Sequence, residues 1–263
     1  MGAGFSRPST ARLKAASTFV IATIVAASRS LITYTVILLY IAIIGPIGLG
    51  AAVLFGATNL LFALGHGGIW LGLTLAGIRY RVSGREHLPQ VPAVYCSNHE
   101  SNVDPPVLFK ILHPRMRILY KAELHAFPLM GRILDAGGFV PVERGNRDRA
   151  IAAVTRGAES IKKGNSFLIF PEGTRSRTGE LLAFKKGGLI MAIQAQAPVV
   201  PVAVRGGRDA MRKGSAIVRP VKVTVRVGAP IPTLGLTLED RDQLIERVRA
   251  EVQKLLDAGS LWT

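Results

Sequence analysis

The chain has 263 residues, 49% of them hydrophobic, and carries a formal net charge of +16. That pairing sets it apart from a simple soluble enzyme and calls for an anionic partner. Aromatic residues make up 6% and are not interleaved with the basic ones, which argues against a stacking surface for nucleic acid and leaves a membrane surface or phosphorylated molecules. The single Cys96 rules out an intramolecular disulfide and suits a reducing compartment. No zinc-type spacing of Cys and His is present, so no metal is expected, and there is no internal repeat.

The leader carries Arg7, Arg12 and Lys14 with no acid, and can flank a membrane segment. Residues 18–27 have the look of a secretory apolar region with Ala26-Ala27-Ser28 as its cleavage site. A longer apolar stretch follows at once, however, and would hold the chain in the membrane. No Asp, Glu, Lys or Arg occurs between Arg29 and Arg79. Within that stretch, residues 31–54 and 59–78 each approach the ~20 residues needed to cross a bilayer core. Gly45-Pro46, Gly48 and Gly65-His66-Gly67-Gly68 divide it further. If these are true interruptions, the shorter pieces suit helices dipping into one leaflet. Basic residues lie on both flanks, Arg29 before and Arg79, Arg81 and Arg85 after, which places both ends in the cytoplasm with an even number of crossings or none. A buried pair of core helices is the soluble alternative. His66 reads as packed or interfacial, not as a ligand.

From Arg79 onward the composition is that of an α/β domain. Strands are expected over 79–82, 92–96, 115–120, 137–144, 166–170, 198–204 and 221–227, the last half-exposed because Val alternates with Lys, Thr and Arg. Helices are expected over 107–113, over 121–134 with an interruption near Pro128, over 147–163 with Asn146 as cap and Gly164 as stop, over 189–197, and over 238–256. The alternation predicts a mixed α/β sheet flanked by helices. Two regions follow: a membrane-associated helical region, 1–78, and an α/β domain, 79–263.

Two stretches carry chemistry. Asn98-His99-Glu100-Ser101-Asn102-Val103-Asp104 sits on a strand-to-helix turn, where ligand sites gather in α/β folds. A tight turn brings Asp104 against one ring nitrogen of His99 and leaves the other to act as a base. The plainer reading makes Asp104 a helix N-cap with Pro105 at the first helical position, and His99 a loop histidine. The second stretch, Pro171-Glu172-Gly173-Thr174-Arg175-Ser176, ends a strand with a carboxylate, a glycine, a hydroxyl and a guanidinium, suited to a phosphate or polyol. Arg175 can give two parallel hydrogen bonds to phosphate. Glu172 repels phosphate, so its partners are expected to be Arg144, Arg175 or a substrate hydroxyl. The plainer reading here is a surface turn with a salt bridge, and Arg177 and Arg205 read as a solvated basic face.

Taken together these residues resemble the glycerolipid acyltransferase family, whose best-known members are 1-acylglycerol-3-phosphate O-acyltransferases. The family's Asn-His, four residues, then Asp is matched by Asn98, His99 and Asp104. Its second block is similar to Lys121, Leu124, Pro128, Gly131, Gly137, Phe139 and Arg144. Its Phe-Pro-Glu-Gly-Thr-Arg-Ser stands unaltered at 170–176, and its Val-Pro strand resembles Val200-Pro201-Val202. The blocks fall in the family's order, while residues 1–78 and the last forty lie outside them.

The resemblance implies that His99 is the general base on a lysophospholipid hydroxyl and that Asp104 orients it. The acyl donor would be acyl-CoA or acyl carrier protein as co-substrate, with no cofactor. Asn98, Lys121, Arg144, Glu172, Gly173, Thr174 and Arg175 form the expected substrate-binding set. The expected acceptor is lysophosphatidic acid, held in a membrane lipid environment at the cytoplasmic side of the inner membrane. Glycerol 3-phosphate, a lyso-ornithine lipid or another lysophospholipid are alternative acceptors; a hydrolase and a non-enzymatic basic membrane-binding protein are the rivals. Cys96, in an apolar strand, is not expected to be a nucleophile.

Overall fold

The glycines and the proline of the N-terminal apolar stretch do not interrupt it. In the computed structural model, which describes residues 10–143, 145–212 and 214–262, with side chains from Val20 on, α1 (Thr10–Phe55) runs unbroken through Pro46. Likewise α2 (Thr58–Leu75) carries Gly65-His66-Gly67-Gly68 inside it. The small residues are contact points. A Cβ at Gly45 would stand 3.0 Å from Ile133 Cδ1, one at Gly48 3.1 Å from Leu61 Cδ1, and one at Gly68 2.9 Å from the Tyr40 ring. Tyr40 lies across that bare surface and its hydroxyl donates to the Leu64 carbonyl at 2.8 Å. Glycine is therefore placed where helices must approach closely.

Gly56, at φ +65°, reverses the chain between the two helices, so α2 returns antiparallel along α1. Val20–Phe55 is the one helix among the described residues long and apolar enough to cross a membrane. The two helices differ in length, 46 residues in α1 against 18 in α2. Leu31, Leu38, Ile43, Ile47 and Leu54 of α1 face outward. The inner side is tied to the rest of the chain, since Ser30 Oγ accepts from the Val218 amide at 2.8 Å and the Tyr34 hydroxyl donates to the Ala216 carbonyl at 2.7 Å. Arg7 lies outside the described residues.

The α/β body is a seven-stranded sheet. In chain order its strands are β1 (Arg79–Ser83), β2 (Val94–Ser97), β3 (Met116–Lys121), β4 (Val140–Val142), β5 (Ser166–Ile169), β6 (Val199–Arg205) and β7 (Lys222–Val227). They lie in the order β1-β7-β6-β2-β5-β3-β4, with every pair parallel except β6 and β7. The helices are α3 (Asp104–Ile111), α4 (Pro128–Ala136), α5 (Arg147–Lys162), α6 (Gly187–Ala195), the short α7 (Gly207–Ala210) and α8 (Arg241–Asp257). Asn146 caps α5, its side chain accepting from the Arg149 amide at 3.0 Å.

The central strands are apolar on both faces because both are covered. On one face Tyr95, Met116 and Val202 pack with Leu108 of α3 and Leu73 of α2; on the other Cys96 and Phe167 pack with Ile193 of α6 and Val248 of α8. Strand β7, expected to be half-exposed, is buried at Val223, Thr224, Val225 and Val227. The C-terminal residues cover its second face, with the Leu261 amide donating to Thr224 Oγ1 and Trp262 Nε1 to the Val223 carbonyl. Parallel pairing then sets the site. Cys96 of β2 is level with Ile169 of β5 on one side and Pro201 of β6 on the other. The loops leaving these three strands therefore emerge together at one edge of the sheet.

Candidate active site

Asp104 opens α3, but its side chain points back into the turn before it. Its Oδ2 lies 2.8 Å from His99 Nδ1 and accepts from the Glu100 and Ser101 amides at 2.7 Å each. The helix-cap reading therefore gives way to a His–Asp pair. Asp104 is wholly buried, whereas the His99 side chain keeps 17% of its surface. A carboxylate on Nδ1 favours the tautomer that carries its proton there and leaves the lone pair on Nε2. The ring stacks on Phe170, centroids 4.2 Å apart, which fixes its plane.

The rest of the turn is fastened to one segment, residues 204–211. Asn98 Nδ2 donates to the Val204 carbonyl at 2.8 Å and its Oδ1 accepts from the Val204 amide at 2.7 Å, so the side chain continues the β2–β6 ladder in place of a peptide group. This departs from the expected substrate contact: Asn98 holds the turn to β6. Ser101 Oγ donates to the Met211 carbonyl at 3.0 Å, and Glu100 accepts from the Arg208 amide. Glu100 is buried, and burial first, then the neighbouring Asp104, pushes its carboxyl up to about 7. A Cβ on Gly207 would stand 2.3 Å from Asp104 Oδ1, an oxygen with no hydrogen-bond partner among the described residues. Only a bare glycine backbone fits against that face of the carboxylate.

On the other side of β2, the 170–176 loop braces the same turn. Glu172 is buried; one carboxylate oxygen accepts from the His99 amide at 2.7 Å and the other from the Leu182 amide at 3.0 Å. Burial raises its pKa, opposed by those two amides. Its partners are thus backbone donors where an arginine or a substrate hydroxyl was expected. Ser176 completes the brace, its amide donating to the His99 carbonyl at 2.8 Å. Gly173, at φ +65°, turns the loop, and a Cβ there would meet Lys185 Nζ at 2.9 Å. Lys185 therefore lies over this loop, a cation that sequence reasoning did not assign to the site. Thr174 is exposed and Arg175 half-buried.

Lys121 ends β3, two strands from β2, and pairs with Glu123 at 2.9 Å with more than half of its side chain exposed. Exchange of such a pair for a ligand phosphate is cheap. Arg144 lies outside the described residues. Cys96 is buried, and burial first, then Glu172, pushes its thiol well above the ordinary range. Among the described residues no group of three or more His, Cys, Asp or Glu side chains is arranged to hold a metal ion.

An apolar cavity of about 490 Å³ lies between the helical hairpin and the body, lined by Phe109, Tyr40, Phe62 and Ile133 and by Val103 and Pro106, which flank Asp104 in the chain. Its walls come from residues 33 to 218, so no local sequence signal announces it. Interleaved glycines in α1 and α2 were the nearest clue.

A family model described as Acyltransferase matches residues 79–205. A 1-acyl-sn-glycerol-3-phosphate acyltransferase of Pseudomonas aeruginosa is 33% identical over 189 residues, 72% of this chain and 73% of that protein. One from Limnanthes douglasii is 34% identical over 179 residues, 68% of this chain and 63% of that protein, and one from Cocos nucifera is 36% identical over 159 residues. The chain spans 63% and 52% of the length of these two plant relatives. The crystal structure of the 1-acyl-sn-glycerophosphate (LPA) acyltransferase PlsC from Thermotoga maritima superposes with a TM-score of 0.78 at 25% identity, covering 91% of this chain and 98% of that one.

Proposed function

The chain belongs to the 1-acylglycerol-3-phosphate O-acyltransferase family, and from that premise we propose that it transfers an acyl group from acyl-CoA or acyl carrier protein to the free sn-2 hydroxyl of 1-acylglycerol 3-phosphate, giving phosphatidic acid. The observation that carries this reading is the partly exposed imidazole held at 2.8 Å by a wholly buried carboxylate. His99 Nε2 takes the hydroxyl proton as the oxygen attacks the thioester carbonyl. The tetrahedral intermediate collapses, the C–S bond breaks, and the imidazolium returns its proton to the departing thiolate. The base serves the acceptor directly, so no acyl-enzyme forms.

Arg175 and Arg144 bind the acceptor phosphate through paired N–H donors, with Lys121 and Lys185 adding positive charge. Glu172 acts through the His99 amide rather than on substrate. The apolar cavity takes an acyl chain, its volume lying within the roughly 300–1,000 Å³ typical of ligand sites. The outward apolar side of α1 rests in the cytoplasmic leaflet of the inner membrane, so the lipid acceptor need not leave the bilayer.

The test is purified full-length protein with labelled acyl-CoA and a panel of acceptors, the product identified by mass spectrometry. Lysophosphatidic acid is expected to yield phosphatidic acid, and His99→Ala to lower the rate roughly 10²- to 10⁴-fold without loss of fold. Unchanged turnover in His99→Ala overturns the mechanism. Release of free fatty acid without acceptor marks a hydrolase, and product only from glycerol 3-phosphate or a lyso-ornithine lipid changes the acceptor.

A further inference from the structure

At the amino end of β3, on the opposite edge of the sheet from His99, two arginines and a histidine gather: Arg115, Arg117 and His113. Burial and then the two arginines push His113 down, and burial and then Arg115 push Arg117 down. No carboxylate is among the groups that act on either. Among the described residues the Arg115 guanidinium donates only to a neutral oxygen, Asn59 Oδ1, at 3.3 Å. Arg117 lies over the Phe62 ring, 5.5 Å from its centroid, and its Nε and Nη1 are buried with no hydrogen-bond partner among the described residues. Buried cationic donors left unpaired are costly, and like-charged neighbours add to the cost. An anion bound beside Arg115 offsets that repulsion.

The surroundings say which anion. Asn59 and Phe62 belong to the first turns of α2, so the cluster adjoins the reversal between α1 and α2. There Val53, Leu54 and Phe55 are 68%, 74% and 81% exposed. Exposed apolar side chains beside unbalanced positive charge match a surface that enters a bilayer and meets its phosphates. A free phosphate in solution would have no use for the apolar knob.

We propose that His113, Arg115 and Arg117 form a binding site for the phosphate of an anionic phospholipid headgroup, seated where the α1–α2 turn enters the membrane and separate from the catalytic edge. The guanidinium fork of Arg115 matches two phosphate oxygens, and Arg117 supplies charge from behind it. The inference rests on the membrane placement proposed above and not on the acyl transfer chemistry. Its consequence is that the enzyme seats itself on anionic lipid with its dyad at a set height.

The experiment is flotation of full-length protein with vesicles of phosphatidylcholine, with and without phosphatidylglycerol. It compares wild type, Arg115→Gln, Arg115→Gln/Arg117→Gln, and a control pair of equal charge loss on α8, Arg247→Gln/Lys254→Gln. At about fivefold for each basic residue near an anionic surface, binding to the anionic vesicles should fall about fivefold in the single variant and about thirtyfold in the double. Binding to phosphatidylcholine, and acyl transfer in detergent, should stay as in wild type. Arg115 is exposed, so the single variant stays informative if the double does not fold. The proposal is overturned if the double variant keeps the wild-type preference or if the α8 pair loses as much. It is also overturned if inorganic phosphate displaces the protein as readily from anionic as from neutral vesicles. Absent acyl transfer by wild type in detergent would sink the acyltransferase reading and leave the vesicle comparison standing.

Discussion

Gly207→Ala adds one methyl group at the back of the dyad and touches no reacting atom. That methyl would stand 2.3 Å from Asp104 Oδ1 and 3.5 Å from Ser101 Cβ, so relief requires a displacement of about 1 Å in a fully packed place. Asp104 cannot retreat freely, because its Oδ2 is held by His99 and by two amides at 2.7 Å. The carboxylate must pivot, and the contact that gives way is that to the His99 ring, which is partly exposed and the least confined of the three. A misplacement of about 1 Å at a catalytic group costs on the order of 10²-fold, or about 2.7 kcal/mol in the barrier. Stability should fall by about 1–3 kcal/mol from overpacking. The assay is thiol release from acyl-CoA with lysophosphatidic acid, paired with thermal melting. The expected pattern is a kcat loss of that size with KM for the acceptor little changed. Gly187→Ala, whose Cβ would meet only Val154 at an ordinary 3.5 Å, is the control and should keep full activity. Full kcat in Gly207→Ala would refute the claim that this glycine sets the position of Asp104.

Two further outcomes follow from the buried groups around the dyad. Cys96→Ala should retain the rate within about threefold, and the native thiol should resist alkylation, because burial keeps it protonated; loss of activity would point to an acyl-enzyme instead. Glu100 binds its proton more tightly when folded, up to about 7 against the ordinary 4.5. Its contribution is therefore fully present below 4.5 and is lost as the pH rises towards 7, on the order of 3 kcal/mol. Glu100→Gln should flatten the fall in melting temperature between about pH 5 and pH 8, and a wild-type curve no steeper than that of the variant would contradict the burial argument.

Much of this molecule is legible locally. Strands β2, β5 and β6 read as buried runs because parallel strands covered on both faces must be apolar throughout. The helix over 147–163 declared its cap and stop, and the His99–Asp104 pair was readable because five residues on a tight turn can close on themselves without help from elsewhere. Asn98, Glu172 and the 204–211 segment were a different matter. Their partners lie on neighbouring strands and loops, so whether a buried polar group meets substrate or a backbone amide is settled by strand order and register. The N-terminal glycines looked like breaks because helix propensity counts the missing side chain as a loss; in the folded chain Tyr40, Leu61 and Ile133 occupy the space those side chains would have taken. Composition and spacing thus determined the strands, the His99–Asp104 contact and the apolar character of the N-terminal stretch. Tertiary packing alone decided what braces His99 and Asp104, where the cavity runs and that Arg117 keeps donors without an acceptor among the described residues, because each of those depends on atoms brought together from distant parts of the chain.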